Sequence, residues 1–358
     1  MDIGFLTFWG AKPGETLAQG YARDLDKIVA ADEMGWDTVW AGGTPLGGSN
    51  PLLMSCGVAA RTRQIRIGTA VHLPHLRARD EEFTTDVPEG ASNIDRRGDS
   101  ADRYRYVLES LPAADPIQVA EQIAIIDQVS DGRFIYGAGG NTIGDPRRQR
   151  HFIEYLAVMK QAWTEDEFSG YHGEFYDYPR LEPVGRVSPK PVQQPYPQIV
   201  LPLDSQQSFI PMGRNGYWIA IGGGSSHNER GDAVLKQDVA NYRQAWKDAG
   251  NEGEPKVVIR ISAHVGPTRA QANRAIERAE RMHREHAART GRTRPANAPE
   301  RGSNLFGTPD EVVDRIRELE EDFGADEIMC MMMDYVLSRE EVLETMRLMA
   351  DEVIPRVK

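Results

Sequence analysis

Cysteine is nearly absent. Cys56 and Cys330 are the two thiols in 358 residues, with no CxxC pair and no Cys/His cluster at zinc spacing, which excludes a disulfide framework and a zinc knuckle and points to a reduced, cytoplasmic, metal-free protein. Basic charge is also short. Forty-two Lys plus Arg stand against 54 Asp plus Glu, a net charge of −12 at pH 7, which repels phosphate backbones and anionic lipid surfaces and argues against nucleic-acid and membrane partners. No apolar run approaches the roughly 20 residues that cross a bilayer. The N-terminal MDIGFLTFWGAKPGE lacks the basic region and the apolar length of a signal peptide. The common catalytic signatures are missing too: no GxxxxGK[ST], no GxSxG, no HExxH, no EF-hand loop. In GAGGNT, Thr142 stands where a dinucleotide fingerprint needs its third glycine, so a simple Rossmann oxidoreductase is disfavoured.

An apolar content of 40% with 34 Gly and 22 Pro is ordinary for a globular enzyme. Short β-rich runs alternate with amphipathic stretches, the pattern of βα units around a parallel sheet. The strand candidates are IGFLTF near residue 3, DTVWAG near 37, IRIGTAV near 65, RFIYGAG near 133, QIVLPL near 198, YWIAIGG near 217, KVVIRISAHV near 256 and EIMCMMM near 327. Eight is the closing number of a (β/α)8 TIM barrel. Helices are expected at about 15–34, 51–61, 116–129, 148–165, 205–214, 231–249, 309–322 and 338–354. Thr308-Pro309 with Glu311, and Ser338 with Glu341, read as helix starts.

We expect a single domain over 1–358 with two insertions. The polar, charge-rich stretch 76–114 follows the third strand and would leave from the C-terminal face, where barrel loops build active sites; it reads either as a lid or as a mobile or oligomer-facing insertion. The stretch 267–306, between the seventh strand and seventh helix, holds an Arg-rich helix whose interspersed acids mark a solvated face.

The block ADPIQVAEQIAIIDQVSDGRFIYGAGGN, residues 114–141, resembles the helix-then-strand signature of the luciferase-like flavin-dependent monooxygenases. GWDTVW at 35–40, IRIGTAVHLP at 65–74, the run from WTEDEF to VLPLDS between 163 and 205, and FGTPDEVVDRIRELEEDFGADEI at 306–328 agree with it in order and spacing. The resemblance implies the same barrel, with reduced FMN at its C-terminal end resting against a cis, non-proline peptide after the third strand. By position that bond is Ala70–Val71, flanked by Thr69. The resemblance places flavin phosphate at LPLDSQQSF, hence at Asp204, Ser205 and Ser208, and ring or phosphate contacts at Gly139, Gly140 and Asn141. Ser205 reads equally as a helix N-cap, and GGN as a plain turn. His72, beside the expected cis bond, and His227, after the sixth strand, are the candidate catalytic histidines, since an imidazole there can hand over or take a proton.

The chain also departs from its relatives. Many of them carry an acid and paired histidines after the second strand, where this sequence reads Gly42, Gly43 and Thr44; the cysteine near flavin in luciferase is replaced by Gly139. Light emission with aldehyde oxidation is therefore not expected. The resemblance implies a two-component monooxygenase: a partner flavin reductase supplies reduced FMN, and O2 is used to oxygenate a small organic substrate. Two alternatives stand beside it, an F420-dependent hydride-transfer enzyme on the same barrel and a flavin-binding protein without turnover. A homodimer is expected from the family.

Overall fold

The computed structural model describes residues 1–12, 14–43, 49–74, 114–139, 146–183, 185–203, 206–222, 232–290, 304–334 and 336–358. The expected lid at 76–114 lies, but for Ala114, outside them, as do Gly140, Asn141, Asp204, Ser205 and His227.

The strands are β1 (Asp2–Thr7), β2 (Thr38–Ala41), β3 (Arg66–Thr69), β4 (Phe134–Gly137), β5 (Tyr171–His172), β6 (Asp177–Tyr178), β7 (Gln198–Leu203), β8 (Trp218–Gly222), β9 (Val257–Val265), β10 (Leu305–Gly307) and β11 (Glu327–Met332). Eight of them close a parallel barrel in the order β1-β2-β3-β4-β7-β8-β9-β11, with β11 returning to β1. These are the eight runs expected from periodicity. β5 and β6 form an antiparallel hairpin outside the barrel, and β10 pairs with the C-terminal end of β9.

The helices are α1 (Leu17–Met34), α2 (Pro51–Ala59), α3 (Pro116–Ser130), α4 (Pro146–Thr164), α5 (Phe209–Arg214), α6 (Asp232–Asp248), α7 (Arg269–Thr290), α8 (Pro309–Phe323), α9 (Arg339–Leu348) and α10 (Ile354–Val357). Thr308 and Ser338 each close a capping box with the glutamate three residues on, as the sequence predicts; Thr16 with Gln19 makes a third. Such reciprocal bonds satisfy N–H groups that the first helical turn leaves orphaned. The helix expected over 338–354 is instead interrupted by a π turn at Met349–Val353. The one expected at 205–214 shortens to α5, preceded by a 3-10 turn.

Side chains alternate between two cores, as a closed sheet demands. Phe5, Val39, Ile67, Tyr136 and Ile328 point outward and pack under the helices. Leu6, Trp40, Ile135, Val200, Val258 and Met329 fill the lumen. Paired residues of parallel strands share a face, so the lumen can be followed strand by strand. Gly68 is paired with Trp40, and its missing side chain is required, since a Cβ there would lie 2.3 Å from the Trp40 ring.

The floor of the lumen is an ion cluster. Glu327 is fully buried, accepts the Trp40 indole N–H at 2.7 Å and pairs with Lys256 at 2.8 Å. Lys256 and Arg66 both reach Asp2 at 2.7 Å. Burial raises the Asp2 carboxyl, but the Lys256 and Arg66 bonds more than offset this and hold it below its usual value.

Candidate active site

One layer above the sealed floor the lumen opens. Ala220 is paired with Val258, and Gly222 with Arg260; Arg260 is in turn paired with Met329, and Ser262 with Met331. Because Val258 and Met329 are lumen residues, Arg260 is a cation facing into the barrel. Trp40 below is 1% exposed, whereas Phe8 at the β1 end is 60% exposed, and Ala70, Arg260 and Met331 are half-buried. A closed bottom and an accessible C-terminal mouth make a cup on the face where barrel enzymes carry their sites.

The wall of that cup at β3 and β4 is built for close approach. The Ala70–Val71 peptide is cis, at the bond expected from the sequence. Ala70 N–H donates to Ala41 O at 2.8 Å, and Ala70 packs on the lumen cluster. Gly137 has no room for a side chain: a Cβ would lie 1.7 Å from Thr69 O. Gly139 is packed tightly, since a Cβ there would come within 2.9 Å of Val71 Cγ2 and Leu73 Cδ2. Gly42 is likewise tight beside the Phe8 ring, at 2.8 Å. A flat, ring-shaped ligand lying on Ala70, Val71 and Gly139 meets small groups and backbone, so these residues fit a flavin.

The expected site residues divide. Ala70, Val71 and Gly139 border the mouth. Thr69 does not offer its side chain: it is fully buried, and its hydroxyl donates to Gly137 O at 2.7 Å, tying β3 to β4 where their ladder ends. Ser208 stands at the start of α5 without a cap bond from its side chain, and α5 has only six residues.

His72 sits on the rim. Its N–H donates to Gly137 O at 2.8 Å, its carbonyl accepts from Gly139 N at 3.0 Å, and it bridges to outward-facing Ala138. Nδ1 lies 3.0 Å from the Tyr136 hydroxyl, so Nε2 points away from Tyr136. Burial pushes the imidazole down to about 4. The ring is therefore neutral near pH 7, with one N–H and one bare nitrogen.

Arg260 was not legible as a site residue from motifs, yet the signal was present: a single charge within VVIRISAHV, in phase with Val258 and Ser262. β3 and β9 are opposite members of the ring of eight, so Arg260 stands across the mouth from Ala70. Among the described residues there is no His/Cys/Asp/Glu group able to hold a metal, and no helix long and apolar enough to cross a membrane.

Comparison with known proteins agrees with this geometry. At 30% identity the chain is similar to an uncharacterized protein of Mycobacterium tuberculosis, over 40% of this chain and 50% of that one. It is equally similar to the FMNH2-dependent dimethylsulfone monooxygenase of Pseudomonas putida, over 28% of this chain and 30% of that one. The matches thus span half or less of those relatives' length. Among solved structures, the oxygenating constituent of 3,6-diketocamphane monooxygenase from Pseudomonas putida, in complex with FMN, superposes with a TM-score of 0.70 at 18% identity over 100% and 99% of the two chains. The F420-dependent tetrahydromethanopterin reductase of Methanopyrus kandleri does so at 0.66 and 16%, over 100% and 99%. Such low identities speak for the barrel alone, but the family model described as luciferase-like monooxygenase matches residues 1–78 and 110–327, and with that match over most of its length the chain belongs to the luciferase-like monooxygenase family.

Proposed function

We propose that this chain is the oxygenating component of a two-component monooxygenase, binding reduced FMN from a separate flavin reductase and using O2 to oxygenate a small organic substrate. The observation that carries the reading is the cup: a lumen sealed by Trp40 and Glu327 below and open above, with a small-residue wall at Ala70, Val71 and Gly139 facing Arg260. The family supplies the cofactor class, and the FMNH2-dependent relative favours FMN over F420. When bound, the flavin supplies the oxygen-activating chemistry that side chains cannot.

The chain's own residues would then do three things. Ala70, Val71 and Gly139 orient one face of the ring. The phosphate is assigned to the turn holding Asp204, Ser205 and Ser208, with Gly140 and Asn141 closing the ring edge. The apolar groups Phe8 and Met331 exclude water on the open side, which protects a reactive site from hydrolytic side reactions. Arg260 holds an oxygen of the substrate across the mouth. His72 and His227 are the candidates for giving a proton to an oxygen at the rim; the neutral His72 ring lies on the Tyr136 side of the wall, so it serves the mouth only if Nε2 reaches past the β3 end. The enzyme acts in the cytoplasm as a homodimer.

The test is an anaerobic titration with reduced FMN and, separately, with reduced F420, followed by admission of labelled O2 in a substrate screen. Tight FMNH2 binding and label in an organic product support the proposal. Preferential F420 binding would replace it with hydride transfer, and FMNH2 binding with no labelled product in any case would leave a flavin-binding protein.

A further inference from the structure

The mouth has a second side, away from the flavin wall. In the ring of eight, β9 and β11 lie opposite β3 and β4, and β1 joins β11. Phe8 stands at the top of this side. It follows the lumen residue Leu6 by two positions, as Gly42 follows Trp40, and the Gly42 N–H donates to Thr7 O at 2.9 Å, which carries the β1–β2 pairing past the strand end. A Cβ on Gly42 would lie 2.8 Å from Phe8 Cδ1 and Cε1, so the phenyl ring lies across the missing side chain, inside the mouth. It is 60% exposed there. An aromatic ring left open in a concave site is a surface for another flat ring.

Deeper in the mouth the strip continues. Leu6 is paired with Met331, and Met329, one lumen position deeper, with Arg260. Arg260, Met331 and Phe8 therefore rise in that order from depth to rim on three neighbouring strands: a cation, a thioether and a phenyl ring. A methionine sulfur makes favourable contacts with aromatic edges. Across the ring from β1, β7 offers Pro202, exposed and paired with the lumen residue Ala220; a proline there brings apolar surface and no N–H donor. Among these side chains Arg260 alone is charged. A guanidinium facing into small and apolar groups selects an oxygen anion, which it can hold by two parallel N–H bonds. Register also fixes the spacing. Gly4 is paired with Met329, so Phe8 lies four residues beyond the level of Arg260, about 13 Å along the strand, and two strands, about 10 Å, to the side. A ligand that meets both must carry its ring several bonds away from its anion.

We propose that the substrate is an aryl alkanoate, a flat aromatic ring joined by a short chain to a carboxylate, with the ring on Phe8 and Met331 and the carboxylate on Arg260. The inference rests on the cup being the substrate site of an oxygenase. Flavin on the Ala70–Val71 side and substrate on the Phe8–Arg260 side then face each other across the mouth. Phe8 sets the preference for a planar body and Arg260 the preference for an anion, and the two selections are separable because different strands hold them.

The probe is 3-phenylpropionate, set against the neutral 3-phenylpropanol and the non-planar 3-cyclohexylpropionate. Ligand-observed NMR titration gives dissociation constants for wild type, Phe8→Leu and Arg260→Met, each without and with saturating FMN. Wild type should bind 3-phenylpropionate at least about tenfold tighter than the alcohol, the scale of a hydrogen bond to a charged group, and roughly two- to tenfold tighter than the cyclohexyl acid, which is what an aromatic pair adds beyond burial. F8L should lose the second preference and keep the first, with an unchanged unfolding midpoint because the ring is mostly exposed; R260M should do the reverse. Equal affinities in wild type, or preferences that persist in both variants, overturn the proposal. Incubation with reduced FMN and labelled O2 tests the underlying reading separately: a labelled aryl product supports both, whereas the full binding pattern with no label in any aryl alkanoate keeps the ligand class and overturns the oxygenase.

Discussion

Trp40 donates its indole N–H to Glu327 Oε1 across the barrel floor at 2.7 Å, joining β2 to β11, two strands that are not neighbours. The same carboxylate faces Lys256 at 2.8 Å, with Arg66 at 3.5 Å. Below the mouth, then, the lumen ends in a polar plug.

Glu327→Ala removes the anion and leaves Lys256, itself 8% exposed, paired with Asp2 alone above a void. Deleting one partner of a buried pair costs about 3–5 kcal/mol when the other charge is stranded, and the Asp2 partner of Lys256 and Arg66 holds the loss to the low end of that range. We expect the urea midpoint to fall accordingly. Glu327→Gln, which can still accept from Trp40, should lose less. Equal losses in the two variants would place the energy in the Trp40 bond instead of the charge.

Acid should weaken the fold through two histidines. Burial pushes both His72 and His264 down to about 4; for His264, bonded to Thr345 at 2.9 Å, Glu341 pulls upward and Arg278 downward in smaller measure. An unfolded imidazole titrates near 6.5, so as pH falls the unfolded chain takes up protons first. Their contribution is complete above pH 6.5 and is lost between there and about 4, by roughly 3 kcal/mol for each group. Urea midpoints of wild type and His264→Gln over this range check it: the variant should show a shallower decline. Parallel curves would mean that His264 reaches solvent when protonated.

The barrel was legible because each strand is buried on both faces and so reads as an apolar run between Gly- and Pro-rich turns. The hairpin at Tyr171–His172 and Asp177–Tyr178 was not, because its two-residue strands owe their position to Glu154 on the preceding helix. The cis bond between Ala70 and Val71 could be placed by resemblance. The buried hydroxyl of Thr69 could not, since its bond to Gly137 O depends on where the β3–β4 ladder stops. His72 was flagged, but its partner Tyr136 is 64 residues away and carries no motif.

Gly139→Val tests the wall without touching a charged group. Even the first carbon of the side chain would sit 2.9 Å from Val71 Cγ2 and Leu73 Cδ2, so the added bulk must turn into the mouth or push those residues aside. Either way the wall changes shape. FMN affinity, read by fluorescence titration, should drop at least about tenfold, a loss of about 1.4 kcal/mol, with an unfolding midpoint lowered by the about 1–3 kcal/mol that overpacking costs. Unaltered affinity would remove Gly139 from the flavin face.

Arg260→Met separates the two sides of the mouth. The methionine keeps much of the length and apolar stem of arginine but loses a planar donor that pairs with oxygen anions. If Arg260 serves the substrate, opposite the wall at Ala70, then flavin affinity should stay within about threefold, whereas KM for any oxygenated substrate found in the screen should rise about 10- to 100-fold, the value of a hydrogen bond to a charged group. Arg260→Lys retains charge without the fork and should fall between. A loss of FMN binding in R260M would move the arginine to the cofactor side, and a neutral, oxygen-free substrate processed equally by both proteins would remove it from recognition altogether.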